Sequence, residues 1–425
     1  MKRFFKLAGS LRLTVALLLC SMAIVFFGTL DQVDWGVGMV QKQYFESLFA
    51  AYPISAHSWG DWSVLGAFGR FLADSGFRIP MPGGFLIGGL LLVNLVAAHF
   101  RYFKPGWKRA GIAITHAGVL LLVVSGFATA FFQKESITRI VEGGSSDWSQ
   151  DFQRSEIALT DTTDPAKDRV TVVPDELIRD GSTRGLYPVP GSDVEIRVHR
   201  FMANSGIIGP MQAAQFPEIK PVKVDNGVAA RTPILVVDEP ETFSPNRANF
   251  ASAVVEVVIG GKSLGTWFVT TFPMGSFGPQ PFSYAGKNYE LSLRMRRTYF
   301  RNDPGETPFS LRLKKFTHEV YAGTATPKNF ASDITLEDPR EAASRDITIS
   351  MNKPLRHAGF TFYQASFGST QGENGPEDIT ALQVVQNPSY ILPYLAVALV
   401  GGGMIVHFLI TLSGFIGGQK KKGIA

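Results

Sequence analysis

Cysteine occurs once in this chain, at Cys20, so no disulfide can form within it. There is accordingly no CxxC pair and no CxxCH site for covalent haem attachment, which excludes a c-type cytochrome. The catalytic signatures HExxH and GxSxG, the P-loop and a GxGxxG opening a helix are missing as well. Acids are plentiful beyond residue 133, but their spacing singles out no particular pair. No tryptophan cluster exists either: the six tryptophans, at 35, 59, 62, 107, 148 and 267, are scattered.

Acids are wholly missing from three short basic segments: Lys2, Arg3, Lys6 and Arg12; Arg101, Lys104, Lys108 and Arg109; and Lys420, Lys421 and Lys422. These hold eleven of the 41 basic residues, and the remaining 30 stand against all 36 acids. The pI of 9.1 therefore reports a localised excess of positive charge and does not point to nucleic-acid binding.

What the chain does contain is long apolar runs. Residues 110–133 carry no charge except at His116, and a run of that length spans a bilayer. Leu13 to Leu30, Ile79 to Phe100 and Ile391 to Ile416 have the same character, the last two with His99 and His407 near one end. The expectation is four transmembrane helices, at about 13–30, 81–100, 110–132 and within 389–425. The first is too long for a signal-peptide core and no small-x-small cleavage site follows it. Because cytoplasmic loops collect Lys and Arg, both termini and the 101–109 turn are expected in the cytoplasm. An aromatic-rich loop, 31–78, with Tyr44, Phe45, Trp59 and Trp62, would lie outside along the interface. So would the large segment 134–388.

That segment reads as β. Alternation in Val194, Ile196 and Val198, and apolar runs around turns at Gly260-Gly261-Lys262, Ala285-Gly286-Lys287, Asn352-Lys353-Pro354 and Ala358-Gly359, predict antiparallel strands. The fold class is thus four transmembrane α-helices plus a large, mainly antiparallel, sandwich- or barrel-like β domain outside the membrane. Arg294, Arg296, Arg297 and Arg301 form a basic patch, read as a solvated strand face.

An ionisable side chain inside a span is costly and marks a functional site by default. His116 lies roughly 9 Å along its helix from Ala110. Neutral imidazole ligates haem iron and metals readily, and a buried interhelical hydrogen bond is the alternative role. His99 and His407 fall at similar depth and are further candidates. His57, His199, His318 and His357 read as ordinary surface histidines. Gly84 and Gly88 form a GxxxG pattern, and glycines at 111, 118 and 401–403 would permit close contact with a partner helix.

Several segments together resemble the ResB (CcsB) family of system II cytochrome c biogenesis. The opening helix, SLRLTVALLLCSMAIVFFGTLDQ, has a Gly28-Thr29 exit and Gln32. The third, KRAGIAITHAGVLLLVVSG, places His116 before Gly118. The closing MNKPLRHAGFTFYQASFG matches an Asn-x-Pro-Leu, glycine, Tyr-Gln-x-Ser order. The resemblance covers nearly the whole chain. It implies a subunit that carries haem b, bound between or beside the transmembrane helices, across a bacterial inner membrane and helps deliver it to apocytochrome c CxxCH sites. His116 would be an axial ligand. It also implies a CcsA/ResC-type membrane partner bearing a WWD motif, apocytochrome c and membrane lipid as partners, and at most one subunit of a holocytochrome c synthase complex. The alternative is a membrane-anchored assembly factor that binds apocytochrome or a partner without contacting haem.

Overall fold

Among the described residues, four helices are long and apolar enough to cross a membrane: Leu11–Val33, Gly84–Tyr102, Trp107–Phe132 and Ile391–Ile416. The computed structural model describes residues 7–422 apart from 53–63, 103–105, 166, 180–184, 191–192, 214, 243–247, 274–276, 304, 324–326 and 373–374. Its helices are named here α1 (Leu11–Val40), α2 (Val64–Asp74), α3 (Gly84–Tyr102), α4 (Ala110–Phe132) and α5 (Ile391–Lys422). The chain divides into a helical unit, 1–134 with 387–425, and a β-rich unit, 135–242 with 248–386. Lys2, Arg3, Lys6 and Lys104 of the basic segments lie outside the described residues.

Ser10 caps α1, its hydroxyl accepting from the Leu13 amide at 3.3 Å. The helix does not stop at Leu30 but runs on to Val40, bending at Gly36, whose φ of 73° suits glycine. Asp31 is tolerated inside it because Tyr44 folds back and donates its hydroxyl to the carboxylate at 2.7 Å, both residues fully buried. A wide turn, Gln41–Phe45, and a two-stranded sheet of Phe49–Tyr52 with Ile79–Pro82 follow. Tyr44 and Tyr52 pack with Leu17, Ile24, Val40 and Ile87. The 31–78 segment is therefore not simply an aromatic loop on the interface, since Tyr44 is core. Its Trp59 and Trp62, and His57, lie outside the described residues.

Asn94 ties α3 to the start of α1. Its amide donates to the carbonyls of Ala8 at 2.5 Å and Ser10 at 3.2 Å, and its oxygen accepts from Thr14 at 2.7 Å. A buried amide at mid-span is tolerable only when so satisfied. At the other end of the unit, Asn387 donates to Gln133 at 3.1 Å and Thr129 at 3.3 Å, joining the end of α4 to the approach of α5.

Between α4 and α5 the seam is made of glycine. A Cβ at Gly118 would lie 2.8 Å from the Ala396 carbonyl oxygen and the Val400 amide. One at Gly111 would strike the backbone of His407, and one at Gly403 the backbone of Thr115 at 2.5 Å. Gly88 faces the Phe127 ring at 3.0 Å, and Gly84 the Phe45 backbone. Most glycines expected to serve an outside partner are thus used within the chain. Only Gly401 and Gly402 of that set have nothing within 4 Å.

The β-rich unit is built on an eight-stranded antiparallel sheet whose central strands include Trp148–Asp161, Lys134–Val141 and Gly375–Gln386. A four-stranded sheet containing Val194–Met202 and Ser252–Ile259 packs on one part of it, burying Ile157, Leu159, Ile196, Val257 and Leu291. A second four-stranded sheet, containing Ser310–Val320 and Pro327–Glu337, packs on another, burying Leu311, Ile334, Phe360, Phe362 and Leu382. The result is stacked open sheets and not a closed barrel. The turns form as the sequence suggests: Gly260-Gly261, with φ of 56° and 77°, pairs Ile259 with Lys262. Ala285-Gly286 pairs Tyr284 with Lys287, and Ala358-Gly359 pairs His357 with Phe360. The turn at Asn352-Lys353-Pro354 behaves otherwise. Arg345–Ser350 before it pairs with Pro327–Glu337, so the chain changes sheets there.

Gly118→Val should destabilise the detergent-solubilised chain by about 1–3 kcal/mol through overpacking and so lower its unfolding temperature. Gly126→Ala, a helix-interior position where nothing lies within 4 Å, should not lower it and should raise it slightly. Tryptophan-fluorescence melts compare the two, and equal melting temperatures would contradict the glycine seam.

Candidate functional site

With 3.6 residues per turn, Gly111, Thr115 and Gly118 occupy the α5-facing side of α4, which turns Ala113, His116, Ala117 and Leu120 to the opposite side. There α4 meets α3 running the other way. Near the C-terminal end of α4 the two helices are bridged by rings, with Phe85 5.8 Å from Phe127 and 5.2 Å from Phe131 between centroids. Near its N-terminal end the side chains shrink to Ala113 and Ala117, and a groove of about 520 Å³ opens against Leu95, Val96 and His99.

His116 and His99 stand in this groove with ring centroids 6.3 Å apart and planes inclined at 49°. The Nδ1 of His116 lies 2.8 Å from the Ile112 carbonyl oxygen, one turn earlier in the helix. A carbonyl can only accept, so Nδ1 carries the proton and, in the neutral ring, Nε2 keeps its lone pair. That is the tautomer and orientation of a metal-ligating imidazole whose other nitrogen is held in place. His116 is exposed from the bundle and His99 half-buried. The third intramembrane histidine, His407, is placed elsewhere: its backbone forms the contact with Gly111, and it does not line the groove.

The β-rich unit sorts its charges internally. Arg294 donates to the buried Glu156 at 2.9 Å, and Arg296 pairs with Glu176 at 2.7 Å and Asp151 at 3.3 Å. Arg297 lies over the Trp148 ring at 3.9 Å, and Arg301 donates to the Glu306 carbonyl. Burial raises the Glu156 carboxyl and Arg294 opposes the shift. The basic patch is thus engaged by its own acids and rings.

Asp338, Glu341 and His357 bring ligand-type atoms within 4.8 Å of one another. The cationic positions are nevertheless taken: Arg340 donates to both oxygens of Asp338, at 3.0 and 2.8 Å, and Arg345 pairs with Glu341 at 3.0 Å. His357 Nε2 sits 2.7 Å from Asp338. His357 is therefore part of a charged network at the edge of a core and not a plain surface histidine. His199 likewise contacts Glu256 at 2.9 Å, and His318 stacks on Phe330 at 4.9 Å. Equal depth allowed two of the three histidines to face one another, and the pair that does so is His99 with His116; pattern reading missed Asn94, for which an uncharged polar residue at mid-span was the available signal.

Comparison with known proteins bears on the same chain. Residues 288–375 match the ResB-like family. A 121-residue stretch is 33% identical to Protein NrfI of Wolinella succinogenes, covering 28% of this chain and 13% of that protein. A stretch of 129 residues is 30% identical to the cytochrome c biogenesis protein CcsB of a Synechococcus species, covering 30% of this chain and 26% of the other. The CcsB of a Picosynechococcus species is 29% identical over 117 residues, 27% of this chain and 25% of its own length. Over residues 288–375 the chain is ResB-like. These matches span about a quarter or less of each relative, so they bear on family and not on the relatives' full activities. The strands Ser310–Val320 and Phe360–Gly372, with the Asp338–His357 network, fall within the ResB-like stretch, as does all but the first residue of Lys287–Tyr299.

The Asp338 network gives a pH test. Hydrogen bonds from Arg340, helped by His357 and opposed by burial, hold the Asp338 carboxyl far below the usual carboxylate range. A depressed folded pKa adds stability above the unfolded value of about 3.9 and loses it as pH falls below. Asp338→Asn should therefore lower the melting temperature at pH 7, with the gap to wild type narrowing below about pH 4. A gap that stays constant with pH would contradict the ionised pairing.

Proposed function

We propose that this ResB-like chain acts in cytochrome c biogenesis as a membrane subunit that binds haem and passes it toward the site of attachment. The observation that supports it is the His116 imidazole: held at Nδ1 by Ile112, it offers Nε2 to an apolar groove within the span. Haem suits that donor set. Imidazole is a common axial ligand, the lining is almost entirely apolar as a porphyrin face requires, and the volume falls in the range of small-molecule sites. When bound, the haem would be the cargo; the chain's own residues orient it, keep water from its faces and hold the iron. The acid-free basic segments support an orientation with both termini and the 101–109 turn in the cytoplasm and the β-rich unit outside.

The chain has no catalytic motif of its own, and its groove is open on one side, as the exposure of His116 indicates. We therefore assign thioether formation to a complex with a second, WWD-bearing membrane protein, the haem lying where the two meet. An apocytochrome would be the acceptor.

His116→Ala should keep the helix, since alanine is the best helix former, while removing the ligand. Haem co-purifying with the chain and its partner should fall several-fold, and added imidazole should restore part of it. Haem content and spectrum unchanged in His116→Ala would assign the residue to packing and favour an assembly factor that never touches haem. In a host stripped of its own maturation system, the chain alone should fail to mature a reporter cytochrome c, and co-expression with the WWD partner should succeed. Maturation by the chain alone would refute the division of labour.

A further inference from the structure

The geometry points to a capture step performed within this chain: His99 and His116 together hold the iron of an incoming haem before any partner ligand engages it. This rests on the haem-handling reading above and adds a residue and an order of events to it.

The first support is spacing. Each metal–imidazole bond is about 2.0 Å and a ring nitrogen sits roughly 1 Å from its centroid, so two imidazoles on opposite faces of one iron have centroids about 6 Å apart. The His99 and His116 centroids are 6.3 Å apart. Facing positions of α3 and α4 put them there, in the same register in which Gly88 meets Phe127 and Leu95 shares the groove with Leu120.

The second support is room. The rings that bridge α3 and α4 near Phe85 end before the histidines, and Ala113 and Ala117 leave space on α4. A hydrated metal ion gains little from such an apolar lining, and two imidazoles are too few for a closed ion site. A flat macrocycle that brings four equatorial nitrogens of its own requires only the two axial ones.

The third is charge. His99 is followed two residues later by Arg101, and Lys108 and Arg109 immediately precede α4, so the described residues of the two helix ends are cationic and include no acid. Propionate groups are attracted there and a bare cation is repelled. The occupant is therefore an anionic metalloporphyrin. His407, on the glycine seam, takes no part.

The test titrates haemin into the full chain, purified in detergent without a partner. Wild type should give a six-coordinate, low-spin spectrum. His99→Ala should keep haem through His116 but turn five-coordinate and high-spin, with affinity weakened about tenfold or more. Added imidazole should return the low-spin spectrum. His99→Met, which keeps a ligand of similar reach, should shift the spectrum to a histidine–methionine type, a change that loss of folding cannot mimic. His407→Ala should match wild type. A low-spin spectrum that persists unchanged in both His99 variants would overturn capture by the pair and leave the haem-handling reading standing. Failure of wild type to bind haemin, alone and with its partner, would overturn that reading itself.

Discussion

The helical unit depends on the backbone-to-backbone approach of α4 and α5. Gly111, Gly118 and Gly403 remove the side chains that would hold these helices apart, and without water to drive association such close packing is the main attraction available in a bilayer. Its consequence is directional. Once one face of α4 is committed to α5, helical geometry leaves His116 on the opposite face, toward α3. The histidine is then aimed by a contact that involves none of its own atoms.

Polar groups inside the unit are handled by local satisfaction. Asn94 is shared among Ala8, Ser10 and Thr14, Asp31 takes the Tyr44 hydroxyl, and Asn387 gathers Gln133 and Thr129. Each such bond contributes about 0.6 kcal/mol, so the gain lies in fixing which helices are neighbours more than in stability. His116 differs from them. One nitrogen is satisfied within its own helix, and the ring stands in a largely apolar groove that it shares with His99.

Much of this was legible in the residues. Length and apolarity disclosed the four spans, and an ionisable group inside one of them drew attention to His116. The Gly260-Gly261, Ala285-Gly286 and Ala358-Gly359 turns disclosed hairpins, because each carries a glycine where φ is positive. The rest was hidden for physical reasons. Whether Arg345–Ser350 pairs with the strand after it or with Pro327–Glu337 is decided by distant partners, and local alternation is the same either way. The extension of α1 past Asp31 depends on a tyrosine thirteen residues on. That His99 faces His116, while His407 does not line the groove, follows from the register of antiparallel helices, which depth along each helix does not determine.

The central claim is that the space between α3 and α4 receives haem on His116. An electron cryomicroscopy map of the chain with its co-expressed partner and haem tests it directly. The account predicts a planar density edge-in between the two helices, its iron about 2 Å from Nε2 of His116. Haem density elsewhere, with only acyl chains filling this groove, would contradict it.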